Sequence, residues 1–352
     1  TSLVSDWSSD VCSSDLAARQ WFKCVRQLML DLGFTQATSD QCLFVRFNPL
    51  FIVLVWVDDL LCMCPNSKVR DETVKQMEKV YRLRDEGPVD CFLNVQFEIK
   101  GDELTMTQEH YIESMLKRFG MEECNAVKIP MPPNLDMKVE GDKVDETMYR
   151  AVIGSLMYLM VCTRPDLAFV LSALSRHLKD PRKKHMQAAK RVLRHLKGTK
   201  GMTLKMKVKS GFGITGLSDA SHGDCKDSGY KSTMGYLVFV GEALVMWKSK
   251  MQSFVAKSTF EAEFGALSTL ITELVWVKAV MNEIVNSKGD VPLVMVDNRG
   301  AVQTANNNKV THRNKTVAIR CHHVLDQVEK KLAKIKHVRT EKNIAEIGSA
   351  HV

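Results

Sequence analysis

Across its 352 residues the chain has no apolar run approaching the roughly 18–20 residues that a membrane span needs, so a membrane-embedded protein is not expected. Its ten cysteines, from Cys12 to Cys321, form no CxxC pair; a zinc ribbon or dithiol redox site is therefore unexpected, and reduced thiols are the simplest reading. His312, His322 and His323 have no cysteine pair beside them and read as ordinary histidines. No secretory signal opens the chain, which points to an intracellular compartment. What is present is 45% hydrophobic and 26% charged residues, enough for buried cores in two or three compact units.

The segment Asp6–Leu16, DWSSDVCSSDL, has no hydrophobic period and resembles one translated frame of a sequencing-library adaptor. Residues 1–16 are accordingly expected to lie outside the fold. Amphipathic patterning starts at Ala17.

Charge is concentrated. Between Lys179 and Lys209 twelve Lys/Arg face one acid, Asp180, a surplus larger than the net +8 of the whole chain. Such a strip is either a solvated helix face or the footprint of a phosphate backbone. Asp180 as N-cap, Pro181 in the first turn and Gly198 after the last turn predict a helix. Ala188, Ala189, Val192, Leu193 and Leu196 would be its buried stripe. Lys183, Lys184, Lys190, Arg191, Arg194 and Lys197 then form a cationic face that fits nucleic acid. Upstream, Thr163 and Asp166 around Pro165 suggest a capping box opening a second helix, with Val170, Leu171, Leu174 and Leu178 inward.

Two sets of acids stand out. Phe51–Val57 is a continuous apolar run, followed by Asp58 and Asp59 and then by the apolar Leu60–Cys64. This predicts a hairpin with two carboxylates at its tip, which need solvent or a cation. After Gly211, short strands at Phe212–Ser218, Tyr236–Val240, Leu244–Trp247 and Pro292–Val296 and helices at Glu261–Val285 and Gly300–Asn306 predict an α/β domain with a mixed sheet. Asp219 and Asp297 each follow a strand, where ligands bind in such sheets. At 100° per residue, Glu263 shares a stripe with Ala266, Leu267, Leu270, Leu274 and Val277, whereas Glu261 points the other way and is expected to be solvated. An acid on a buried stripe needs a partner, and a metal ion is one.

Several stretches together resemble copia-type retrotransposon polyproteins. They are ARQW (Ala18–Trp21), WVDD (Trp56–Asp59), YIESMLKRFGMEEC (Tyr111–Cys124), YRAVIGSLMYL (Tyr149–Leu159), TRPDLAF (Thr163–Phe169) and AAKRVLRHLKGT (Ala188–Thr199). GLSDA (Gly216–Ala220), KSTMGYLVFVG (Lys231–Gly241), VAKSTFEAEFGAL (Val255–Leu267) and VDNRGAV (Val296–Val302) continue the resemblance in order. Departures include Trp56 for Tyr, Asn94 for Gly, Met186 for Trp, His195 for Tyr, and Thr316 and Ala318 for His and Asp. The resemblance implies a partial reverse-transcriptase palm at 17–100, a helical thumb and connection region at 101–210 and an RNase H-like domain at 211–352.

By the same resemblance, Asp58 and Asp59 are two of three polymerase carboxylates. The third lies upstream in the family, so no primer extension is expected. Asp219, Glu263 and Asp297 would hold two Mg²⁺ (or Mn²⁺) ions that cut RNA in an RNA–DNA hybrid. Glu346, in Ala345–Ala350, stands where the family has a fourth acid, Asp. The implied partners are hybrid and template-primer nucleic acid and other parts of the polyprotein, in a cytoplasmic particle with a nuclear phase. Two alternatives stay open: a catalytically inactive, nucleic-acid-binding remnant, and an integrase of the same superfold. Against the integrase, Glu263 falls between the two aspartates rather than last.

Overall fold

The computed structural model describes residues 2–5, 14–81, 83–132, 140–207, 211–225, 229–286, 289–307 and 318–348. The chain divides into two compact units, residues 1–92 with 276–289, and residues 93–275 with 290–352. The first break falls near the expected palm boundary, but compactness keeps the helical region and the C-terminal sheet in one unit.

In the first unit, β1 (Ser2–Ser5), α1 (Ser14–Asp31), β2 (Thr35–Gln36), β3 (Leu43–Arg46), β4 (Phe51–Trp56), β5 (Asp59–Met63), α2 (Ser67–Val80), β6 (Leu83–Asp85) and β7 (Cys91–Phe92) follow in order. One sheet runs β2-β3-β4-β5-β1-β6. The inward residues of the β4–β5 hairpin (Phe51, Val53, Val55, Leu60 and Cys62) pack with Trp21, Val25 and Met29 of α1 and with Val74 and Met77 of α2. The predicted hairpin is present. Of residues 1–16, expected to lie outside the fold, residues 6–13 lie outside the described residues, and the remainder is partly structured. Ser2–Ser5 pairs antiparallel with both β5 and β6, and α1 begins at Ser14. Strand pairing uses backbone groups, so even a four-residue segment can fill a sheet position. Residues 276–289 also belong to this unit. Glu283 there accepts hydrogen bonds from the backbone N–H and hydroxyl groups of Thr38 and Ser39, and these hold its carboxyl below the usual range despite its partial burial.

The second unit begins with β8 (Val95–Lys100) and β9 (Glu103–Thr107), followed by α3 (Glu109–Arg118), α4 (Glu146–Cys162), α5 (Ala168–Leu174), α6 (Lys183–Gly198) and β10 (Leu204–Lys207). β10 returns antiparallel to β9. Asn94, just before β8, has φ +55°, a left-handed conformation that Asn tolerates better than most residues, as Gly does. The helices bury Ile112, Leu116, Tyr149, Ile153, Leu156, Leu171, Leu174, Val192, Leu193 and Leu196 in one core. The predicted stripe of α6 is the buried one.

The caps differ from expectation. α6 starts at Lys183 with Arg182 as its N-cap, whose backbone N–H donates to His185 Nδ1; Asp180 instead pairs with the Arg182 guanidinium, and Gly198 is the last helical residue. Thr163 and Asp166 form no capping box. The Thr163 hydroxyl donates to Gln108 Oε1, and Asp166 takes both guanidinium arms of Arg164, which is 2% exposed. Here a buried arginine outcompetes a local backbone donor, because an unpaired buried cation costs more than an uncapped turn.

The rest of the second unit is β11 (Ile214–Cys225), β12 (Lys231–Val240), β13 (Ala243–Met251), α7 (Thr259–Val285, in this unit as far as Val275), β14 (Leu293–Val296), α8 (Arg299–Asn307), α9 (Ala318–Glu329) and β15 (Lys334–His337). The sheet order is β13-β12-β11-β14-β15, antiparallel across the first three strands and parallel from β11 through β14 to β15. This is the expected mixed sheet with flanking helices. β15 and α9 lie beyond the elements read from the pattern. At Gly216 of β11 helix α7 approaches closely: a Cβ there would stand 2.9 Å from a Leu274 methyl, which would have to shift. α7 alone among the described helices is long and apolar enough to cross a membrane, by length and composition only. Its acids Glu261, Glu263 and Glu273 interrupt any continuous apolar run, which is why the sequence shows none.

Candidate active site

Three elements bring acids together. Asp219 lies within β11 opposite Gly235 of β12, Asp297 directly follows β14, and Glu263 sits one turn into α7. β11 and β14 are parallel neighbours, so their two aspartates share one end of the sheet. α7 packs across β11 through Leu270 and Leu274 and lays its N-terminal turn over the same end. Each of the three acids offers an oxygen within 4.8 Å of the others.

The electrostatics of this cluster are unfavourable without a cation. Glu263 is 7% exposed, and its Oε2 is buried with no hydrogen-bond partner. Burial, then the neighbouring Asp219 and Asp297, push its carboxyl up to about 9. Burial and Asp219 likewise raise Asp297, against a hydrogen bond from the Thr340 side chain. Three converging carboxylate groups with an orphaned oxygen are the donor set of a hard divalent cation, and they suit Mg²⁺ or Mn²⁺ better than zinc.

Glu261 corrects the helix-face argument: it is 7% exposed, as buried as Glu263. Its Oε2 accepts from the Lys257 backbone N–H, and it influences the buried Cys321 of α9. The wheel separated the two acids properly but assumed that the far face of α7 is wet. That face is covered: a Cβ on Gly265 would stand 2.7 Å from the Phe254 ring, and Ser268 Oγ lies 3.0 Å from His323 Nδ1 of α9.

Glu346 lies in the 3-10 turn Ile344–Gly348, half-buried, and is not one of the three acids whose oxygens converge. The turn is nonetheless anchored beside the site. The side-chain amide of Asn343 donates to the Ser218 carbonyl, and His337 Nε2 lies 3.1 Å from the Asp297 carbonyl. Thr340, Asn343 and His337 were not singled out in the sequence. Their only signal was proximity to Glu346, because the strand that positions them, β15, is short and mostly polar. His322 is exposed, and His312 and Thr316 lie outside the described residues.

At the hairpin tip, Asp58 is exposed in the turn and Asp59 opens β5. Burial and the adjacent Asp58 raise the Asp59 carboxyl. Val57 has φ +51°, and its carbonyl accepts a 2.7 Å hydrogen bond from the buried indole of Trp21. Among the described residues no third acid joins this pair in a metal-sized cluster.

On α6, Lys183 and Lys190 are exposed, and Lys184, Arg191, Arg194 and Lys197 are half-buried. Arg194 Nε donates to the Asn125 carbonyl, so part of its guanidinium is committed to the fold.

Residues 11–133 match the reverse transcriptase (RNA-dependent DNA polymerase) family. The putative transposon Ty5-1 protein of Saccharomyces cerevisiae is 32% identical over 265 residues, which cover 72% of this chain and 84% of that protein. The chain belongs to the copia-type retrotransposon polyproteins. The retrovirus-related Pol polyprotein from transposon RE1 of Arabidopsis thaliana is 31% identical over 94% of this chain but only 23% of its own length, so the chain spans about a quarter of such a relative. Among solved structures, the foamy viral protease-reverse transcriptase in complex with RNA/DNA hybrid is similar over 95% of this chain and 39% of that one, with 12% identity and TM-score 0.46. LC11-RNase H1 in complex with RNA/DNA hybrid is similar over 37% of this chain and 88% of that one, with 13% identity and TM-score 0.30. The copia-type chain is an α/β protein whose C-terminal sheet is mixed, in the order β13-β12-β11-β14-β15.

Proposed function

We propose that the second unit is a divalent-metal ribonuclease that cuts the RNA strand of RNA–DNA hybrids. The observation that carries this reading is the convergence of the buried Glu263, one of whose oxygens (Oε2) has no hydrogen-bond partner, with Asp219 and Asp297, each offering an oxygen within 4.8 Å of the others. Without a cation such a cluster is costly. Asp219, Glu263 and Asp297 would hold Mg²⁺ or Mn²⁺, which supplies Lewis-acid activation of water and stabilises the leaving oxygen at an RNA phosphate. The protein's part is to fix three ligands on two strands and one helix, and to keep water from Glu263 so that its oxygen is available to a metal. Lys190, Arg191 and Arg194 would contact backbone phosphates without reading bases. The 2′-hydroxyl gives such a site its preference for the RNA strand.

The test is hybrid cleavage by the full chain and by Asp219→Asn and Asp297→Asn. Both variants should lose cleavage and keep hybrid affinity, since each removes a metal ligand and little else. A parental level of cleavage in either one refutes the site. One observation bears on the second reading, a binding-only remnant: Glu346, at the position of the family's fourth acid, is not among the three acids whose oxygens lie within 4.8 Å of one another. Hybrid binding without cleavage in Mg²⁺ or Mn²⁺ would establish it.

A further inference from the structure

The segment after β15 touches both acid-bearing strands. β15 runs parallel to β14 with His337 opposite Val296, and Val338 N–H continues the ladder to the Val296 carbonyl. This carries the chain past the end of β14, where Asp297 sits. Thr340 then hydrogen-bonds the Asp297 carboxylate through its side chain. Two tight turns follow, with Asn343 N–H donating to the Thr340 carbonyl and Glu346 N–H to the Asn343 carbonyl.

Asn343 is the pivot. It is 3% exposed, unusually buried for an asparagine in a connecting turn. Its Nδ2 donates across the sheet to the carbonyl of Ser218, the residue immediately before Asp219, at 3.0 Å. Its Oδ1 accepts from Ala345 N–H at 3.3 Å, which shapes the turn that holds Glu346. One side chain therefore joins the backbone beside the first acid to the turn of the last, while Thr340, three residues earlier, holds the third. An apolar side chain in its place would leave the Ser218 carbonyl and Ala345 N–H without their partner.

We propose that Thr340 and Asn343 are positioning residues for the metal centre: a polar clasp that sets the separation of Asp219 and Asp297. This rests on the metal-site reading above. Neither residue is a metal ligand; each acts through the carboxylate or backbone it holds. Partners of this kind orient ligands, and removing them costs about 10- to 100-fold in metal affinity.

The experiment uses the full chain and measures Mn²⁺ binding by calorimetry, alongside hybrid cleavage across a Mg²⁺ titration. Thr340→Val removes the hydroxyl at nearly constant volume, and Thr340→Ser restores it. Asn343→Asp keeps the Oδ1 acceptor and loses the Nδ2 donor. Denaturation midpoints in EDTA show whether each variant folds. Thr340→Val and Asn343→Asp should bind Mn²⁺ about 10-fold more weakly or worse and need correspondingly more Mg²⁺ for half-maximal cleavage. Thr340→Ser should stay near the parent. Unchanged Mn²⁺ affinity in both folded variants overturns the clasp, whether or not the parent cuts hybrid. A parent that binds Mn²⁺ and cuts nothing overturns the ribonuclease reading, and the affinities alone then decide the clasp. A parent that binds no Mn²⁺ overturns both.

Discussion

Replacing Glu263 by Gln should stabilise the metal-free protein while destroying its proposed activity. Glu263 is buried beside two other acids, and its carboxyl is raised from 4.5 to about 9. The folded state thus holds this proton more tightly than the unfolded chain does. The associated stability is complete below pH 4.5 and is lost progressively as pH rises toward 9. By pH 7 the loss is on the order of 3 kcal/mol, and by pH 9 roughly twice that, at 1.36 kcal/mol per tenfold change. Gln keeps the shape, carries no charge and can donate to Asp219 or Asp297. Urea denaturation in EDTA between pH 6 and 9 should show the parent weakening with pH and Glu263→Gln staying flatter, the variant being more stable above pH 7. Adding Mg²⁺ should raise the parent's midpoint and leave the variant's nearly unchanged, because only a bound ligand stabilises the native state. A variant less stable than the parent at pH 8, or one with the same pH slope, would refute the account of a strained carboxylate cluster.

Glu261→Gln should cost about 1 kcal/mol, since it weakens the Lys257 N–H contact of a buried carboxylate, and should leave cleavage within several-fold of the parent; loss of cleavage equal to that of Glu263→Gln would place both acids in the site. Changing Lys190, Arg191 and Arg194 together to Ala should lower the slope of log hybrid affinity against log salt by up to about three phosphates' worth, checked by fluorescence anisotropy. An unchanged slope would return α6 to a solvated face. Asp166→Asn should cost about 3–5 kcal/mol by leaving Arg164 buried without its counter-charge, measured at pH 7 by chemical denaturation. Burial pushes Asp166 up, but hydrogen bonds from Arg164 and His195 overcome it and hold the carboxyl at about 2. Its contribution is therefore present above pH 3.8 and is lost as pH falls toward 2, so the gap between parent and variant should narrow only in strong acid.

What could be read from the residues was whatever repeats locally. The apolar runs on either side of Asp58 and Asp59 do form β4 and β5, and the stripe from Ala188 to Leu196 is buried as its period requires. Asp297 and Glu263 were legible as candidates because one follows a strand and the other lies on a buried helix stripe; Asp219 was read as following a strand, but β11 continues through it to Cys225. Properties that depend on a distant partner were not legible. Glu261 is buried because Phe254 and α9 cover a face that periodicity leaves open. Asp180 is taken up by the Arg182 guanidinium and the Thr163 hydroxyl by Gln108 Oε1, so neither caps the helix expected of it. β1 has no side-chain signature because its place depends on the open backbone edges of β5 and β6. The clasp of Thr340 and Asn343 depends on β15, whose four residues alternate too briefly to be recognised.

The central claim is that Asp219, Glu263 and Asp297 form a metal-dependent site for the RNA strand of a hybrid. It is tested most directly by incubating the full chain with a hybrid labelled separately on its RNA and DNA strands, in Mg²⁺, in Mn²⁺ and in EDTA. The account predicts cuts in the RNA strand only, dependent on the added metal and absent in Asp219→Asn. Cleavage that persists in EDTA or in Asp219→Asn, or a parent that binds the hybrid and cuts neither strand with either metal, would contradict it.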